Sequence, residues 1–168
     1  ISGMTSSLAL AWSYKEAAAP YKGTTIRVLD EITPMQEAFA NVVPEFEKET
    51  GIKVEYELLN HFEVINKGQS DMLSGQGFYD IVMNHAFQLG LLLKAGVLKP
   101  LDDLMANKEL TNPDLGLDQL IEPSWSTLAK FNGKTYGFLN WNYVTVYWAR
   151  NDLLSHPEEQ ANFKEIGR

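Results

Sequence analysis

The chain has 168 residues, 45% of them apolar and 21% charged, which is enough for one domain with a core of its own. Its net charge of −8 and the lack of clustered Lys and Arg exclude nucleic acid and anionic lipid as partners, because neutralising phosphates takes concentrated basic side chains. Cysteine is absent, so disulfides and thiolate chemistry are excluded, and no apolar run reaches the ~20 residues of a membrane-spanning helix.

In chain order, the sequence opens "ISGMTSSLALAW", apolar and small up to Ala9-Leu10-Ala11. Small residues at the first and third positions of that triplet suit a signal peptidase cleft. Residues 1–11 are therefore read as the tail of a secretory signal peptide. No Cys stands at the cut, so the expectation is a soluble periplasmic protein without a lipid anchor there. Thr25 to Leu29 form a short β-type run, with Ile26 and Val28 alternating with Arg27. A helix is expected next, with Pro34 in its first turn, Phe39, Val42, Val43 and Phe46 at helical spacing, and Gly51 as its stop. "GIKVEYELL" then alternates: Ile52, Val54, Tyr56 and Leu58 on one face, Lys53, Glu55 and Glu57 on the other.

The same order repeats. Glu63 to Ser74 reads as a second helix, stopped by Gly75 and Gly77. "YDIVMN" is a short strand whose pattern is that of burial on both faces, and "FQLGLLLKAGVL" is a helix ending at Gly96. "KPLDDLM" turns into a short helix, Ser124 to Phe131 reads as another, and Asn132-Gly133 is a hairpin turn signal. Tyr136 to Leu139 and Val144 to Ala149 read as strands, and "SHPEEQANFKEIGR" as the start of a polar helix. Strand–helix alternation predicts an α/β fold with a mostly parallel sheet and helices on both faces. In such a sheet ligands collect beyond the carboxyl ends of the strands. Three segments leave those ends: "DEITPM", "NHFEV" and "NHAFQ", each leading into a helix N-terminus with unpaired N–H groups.

Four motifs in order carry a resemblance: "EFEKETGIKVE" (Glu45 to Glu55), "GFYDIV" (Gly77 onward), "AGVLKPLDD" (Ala95 to Asp103) and "NGKTYGF" (Asn132 to Phe138). "YWARNDLL", Tyr147 to Leu154, adds a fifth element. Together they resemble the extracellular solute-binding proteins of ABC importers, and within them the carbohydrate-type branch that is similar to maltose-binding protein. The resemblance implies a type II periplasmic-binding-protein-like architecture: two α/β lobes joined by hinge strands, a ligand in the cleft, and a membrane permease as partner. It also implies a chain about twice as long. On that basis residues 12–143 are expected to form the N-terminal lobe, and residues 144–168 the hinge strand and the start of a truncated C-terminal lobe. A lone lobe exposes the surface its partner lobe would cover, so self-association or pairing with a complementing C-terminal fragment is expected.

The expected ligand-binding residues are Glu31, His61, Asn84, Trp141 and Tyr143. Trp141 and Tyr143, flanked by Asn140 and Asn142, suit the C–H face of a sugar ring, while amides satisfy its hydroxyls. Tyr136, Phe138, Val144 and Val146 are read as core and hinge strand, and Trp125 as core or a second stacking platform. Asp30 and Glu31 could serve as acid and base, but nothing nearby completes a catalytic set, so a carboxylate accepting ligand hydroxyls is the better reading, a solvated loop pair better still, and no enzyme is expected. His61 and His85 stand at matching strand ends. No third ligand is visible at useful spacing and His156 lies in the terminal polar stretch, so no metal site or other cofactor is expected. "SGQG" is a helix stop, not a phosphate loop. The ligand is read as a sugar or polyol. The alternatives are a polyamine or other cation, which an acidic protein with an aromatic cleft could hold, and a lobe acting through oligomerisation.

Overall fold

The computed structural model describes residues 12–140 and 146–167. Its organising element is β1, Thr25–Glu31. β1 pairs in parallel with β2, Lys53–Leu59, along seven residue pairs from Thr25 opposite Lys53 to Glu31 opposite Leu59. On its other side it pairs in parallel with β3, Ile81–Val82. The sheet order is therefore β2-β1-β3, with β1 in the centre. Two helices make the crossovers: α2, Pro34–Thr50, from β1 to β2, and α3, His61–Ser74, from β2 back past β1 to β3. The two crossovers run in opposite directions across the sheet, so right-handed connections place α2 and α3 on opposite faces.

The helix ends follow the expected chemistry. The Thr33 side chain caps α2, Pro34 fills its first position, and Gly51 ends it in the left-handed conformation at φ 73°. Asn60 accepts from the Glu63 N–H at 3.1 Å to cap α3, and Gly75 closes it at φ 71°. The core centres on the face that β1 turns to α3. Leu29 and Val64 are fully buried there, with Tyr79 beside them and Leu59, Ile65 and Val82 packed around. Burying side chains of this size contributes about 1.5–3 kcal/mol each. Asp71 of α3 is buried too, and its carboxylate accepts the N–H groups of Phe78 (2.9 Å) and Tyr79 (3.1 Å), which fixes the approach to β3.

Downstream lie α4, Ala86–Ala95, closed by a left-handed Gly96, and α5, Asp102–Ala106. After them come α6, Glu122–Leu128, and a small antiparallel hairpin of β4, Lys130–Phe131, and β5, Lys134–Thr135. Asn132 and Gly133 turn that hairpin with φ of 48° and 75°, the paired positive values that an Asn-Gly turn supplies. Trp125 is buried and stacks on Phe138 at 5.7 Å, which makes it a packing residue. A short helix α1, Tyr14–Ala18, precedes the sheet, and α7, Asn151–Leu154, and α8, Pro157–Ile166, end the described chain.

Several expectations are corrected. β3 is not buried on both faces: it is two residues long at the edge of the sheet, and Ile81 stays exposed because nothing among the described residues covers its outer side. The helix α2 shows Phe39 and Val42 to solvent, and its buried positions are Gln36 and Thr50. Tyr136 to Leu139 carry no strand; the paired residues are Lys134 and Thr135. Residues 146–149 also carry no strand pairing among the described residues, and Val146 and Phe138 are exposed where core was expected. Residues 144 and 145 of that segment, and residues 1–11, lie outside the described residues. Among the described residues no helix is long and apolar enough to cross a membrane.

Candidate functional site

All three parallel strands send their outgoing turns to one edge of the sheet. β1 ends at Glu31, β2 runs into Asn60 and His61, and β3 runs into Asn84 and His85. Because β1 is central, the exits of β2 and β3 flank the exit of β1. This order brings together residues separated by more than 20 positions in the chain.

Alternation along β1 decides which acidic residue reaches this edge. Asp30 turns inward, where its carboxylate accepts the Tyr56 O–H at 2.7 Å and the Glu31 N–H at 2.8 Å. Burial raises its pKa, against the lowering effect of those two hydrogen bonds. The Tyr56 hydroxyl is likewise raised, first by burial and then by the Asp30 carboxylate beside it, so it remains a donor. Glu31 faces the other way. Its Oε1 lies 3.0 Å from His61 Nδ1 and its Oε2 lies 3.2 Å from His85 Nε2. The imidazoles of His61 and His85 meet edge to face at 4.6 Å.

The local sequence holds each ring in place. His61 is the first residue of α3, directly after the Asn60 cap. His85 stands at the N-cap of α4, where its N–H donates to the Oε1 of buried Gln88 at 3.0 Å. Phe87 stacks on His85 with the rings 5° from parallel, and Phe62 packs edge-on to His61. The Glu31 side chain is 16% exposed, that of His85 21% and that of His61 44%, so the group is open on the His61 side. His85 Nε2 is in ion-pair range of Glu31 Oε2, and among the described residues this buried nitrogen has no hydrogen-bond partner. Asn84 donates to the Val82 carbonyl at 3.1 Å, and its buried Oδ1 has no partner among the described residues.

Of the expected site residues, the structure thus brings Glu31 and His61 into contact and places Asn84 beside His85 on the same edge. Trp141 and Tyr143 lie outside the described residues. His85, which the sequence ranked below Asn84, belongs to the group, and Glu31 is the third ligand-type residue that spacing along the chain did not reveal. Phe62 and Phe87 are further additions, exposed by 74% and 71% at the same edge. The available signal was positional. Each Phe follows a helix-opening residue after a flanking strand, and the strand order turns that into adjacency.

A groove of about 370 Å³ lies elsewhere, and its lining includes Trp12, Tyr21, Phe46, Leu101, Leu104 and Leu115. Its walls are mainly apolar, whereas the polar side chains described above gather at the strand ends.

A parallel sheet in the order 2-1-3, with helices between its strands, makes this an α/β fold, and comparison with solved structures shows it to be periplasmic-binding-protein-like. A solute-binding protein of an ABC transporter from Agrobacterium vitis S4, solved with bound D-mannitol, has this fold. It matches with a TM-score of 0.56 at 24% identity over 67% of this chain and 26% of that one. The model of the bacterial extracellular solute-binding protein family matches residues 30–164, and the chain belongs to that family. Among curated relatives, the putrescine-binding periplasmic protein SpuD of Pseudomonas aeruginosa is 30% identical over 76% of this chain. The putrescine-binding periplasmic protein PotF of Escherichia coli is 34% identical over 99% of it. The chain spans 36% of the length of the first and 45% of the second.

Proposed function

We propose that the chain is the N-terminal ligand-binding lobe of a periplasmic solute receptor of an ABC importer, and that it holds a small polyhydroxylated solute, a sugar or polyol, at the strand-end edge. The observation that carries this reading is the Glu31–His61–His85 group with Asn84 beside it, at the carboxyl edge of a parallel sheet in a chain of the solute-binding family. A carboxylate, two imidazoles and an amide offer alternating acceptors and donors to hydroxyl groups. The exposed rings of Phe62 and Phe87 offer apolar faces to the C–H side of the solute. Family membership supports a transport role rather than turnover. Bridging of the two lobes by the solute would favour the closed form that the permease reads.

A second reading has its own support: two relatives at 30% and 34% identity are named as putrescine-binding. A diamine needs anionic or aromatic partners at both ends. Among the described residues Glu31 at this edge is already engaged by His61 and Asp30 is turned inside, while Glu37 and Glu63 stand exposed in the first turns of α2 and α3. The pairing of Glu31 with imidazole favours the hydroxylated solute. Isothermal titration of the chain with erythritol, D-mannitol and putrescine separates the readings. Saturable heat with a polyol, weakened by high concentrations of a competing polyol but not by salt, supports the first. Heat with putrescine alone, falling with ionic strength, replaces it with the second.

A further inference from the structure

The geometry points to a divalent transition-metal site, of the kind zinc occupies, formed by Glu31, His61 and His85. One donor atom from each of the three lies within 4.8 Å of the other two. The Glu31 carboxylate lies 3.0 Å from His61 Nδ1 through Oε1 and 3.2 Å from His85 Nε2 through Oε2, so it stands between the two imidazoles close to the spacing of roughly 3.4 Å that donors held about 2.1 Å from one tetrahedral zinc ion require. The donor set is two imidazole nitrogens and one carboxylate oxygen, the mixture that borderline-soft divalent ions take. Three protein ligands leave further positions on the ion open toward the exposed His61 side.

Spacing is joined by a second, independent feature. Among the described residues His85 Nε2 is sealed from solvent and makes no hydrogen bond, its 3.2 Å approach to Glu31 Oε2 being an ion-pair contact only, and a buried nitrogen in that state gains from a direct bond. Coordination supplies that bond through a ring-nitrogen lone pair. The three side chains are also held on separate rigid supports: the last residue of the central strand, the first residue of a capped helix, and an N-cap tied to Gln88. Phe87 and Phe62 restrict rotation of the two imidazoles. The positive ends of α3 and α4 oppose a cation here, but a helix terminus acts as a partial charge, much weaker than three inner-sphere bonds. The overall charge of −8 also favours cation approach. The metal site shares the edge with the proposed solute site but does not depend on which solute, if any, binds there.

The test uses the chain stripped with EDTA, dialysed, and titrated with zinc chloride by calorimetry at pH 7.5. One ion per chain is expected, with micromolar or tighter affinity and proton release. Each of His61→Ala, His85→Ala and Glu31→Gln should weaken binding about tenfold or more. His156→Ala should leave it unchanged. Cobalt in place of zinc should give visible absorption bands of a low-coordinate ion, lost in the same three variants. Far-UV circular dichroism checks each fold. Should His85→Ala unfold, His61→Gln at its half-exposed position serves as the deciding variant. Absence of saturable uptake, uptake unchanged in the triad variants, or uptake lost in His156→Ala overturns the proposal. Solute titrations run in EDTA keep the readings apart. Solute binding without zinc uptake removes only the metal site, and zinc uptake without solute binding removes only the receptor reading.

Discussion

Asp30 and Glu31 are adjacent, carry the same charge, and end in opposite environments. The inward carboxylate is consumed by Tyr56 and the backbone; the outward one is left for His61 and His85. Replacing Glu31 with Gln keeps the shape and removes the charge, so solute affinity is expected to fall about tenfold with little change in stability, as read by calorimetry and thermal melting. Gly68 is constrained by space instead of charge. A Cβ there would come within 2.6 Å of Val82 Cγ1 and 3.4 Å of Leu29 Cδ2. The valine is stiff about χ1 and cannot swing aside cheaply. Gly68→Ala is therefore expected to destabilise the chain by about 1–3 kcal/mol through overpacking, although the same change in an open helix would stabilise it. Urea denaturation checks this, and an unchanged midpoint would count against the tight α3–β3 approach. Alternation in the sequence tells that Asp30 and Glu31 diverge, but not which one reaches solvent. That depends on which face of β1 meets α3, a tertiary fact.

At the scale of elements, the helix boundaries were legible because they rest on local chemistry. Gly51, Gly75 and Gly96 all end helices at positive φ, and Asn132-Gly133 turns a hairpin. The strands downstream were not legible, because a strand exists only through its partner. Two residues of β3 pair where a longer strand was expected, and the aromatic run past Tyr136 finds no ladder among the described residues. Asn60 links local chemistry to the site, since its side chain caps α3 and sets the position of His61. Asn60→Ala is expected to cost about 1 kcal/mol of stability and also to weaken solute binding, whereas Asn60→Ser should restore both. A second tie joins β2 to α3: Glu57 accepts from Lys67 Nζ at 2.6 Å and from the Tyr79 hydroxyl. The hydrogen bond from Lys67, followed by that from Tyr79, holds the Glu57 carboxyl below its usual range. The folded form therefore gains from this ionised group above the ordinary glutamate value, and loses that gain as pH falls through the depressed folded value. Glu57→Gln should melt lower than the parent at pH 7, and the gap should close under acid conditions. A gap that persists at low pH would mean that packing, not charge, accounts for the difference.

For the whole molecule, the site depends on topology more than on any motif. His61 and His85 were visible at matching strand ends. What brought Glu31 between them was the order 2-1-3, which no spacing along the chain encodes. The same view explains where apolar surface remains. Tyr147 and Trp148 are almost wholly exposed, and Phe163 and Ile166 of α8 are also open. Surface of this kind seeks a cover, so we expect the isolated chain to self-associate with rising concentration in sedimentation velocity, and Trp148→Ser to shift it toward the monomer. A single monomer boundary at all concentrations would count against that. The central claim is that three strand exits converge on one edge that grips a polar solute. The chain has three histidines, and their ring Cε1–H proton resonances can be followed by NMR in EDTA while erythritol, D-mannitol or putrescine is added. Saturable, concerted shifts of the His61 and His85 signals with a still His156 signal are the expected result. If none of these solutes moves that pair, or if His156 alone responds, the claim is contradicted.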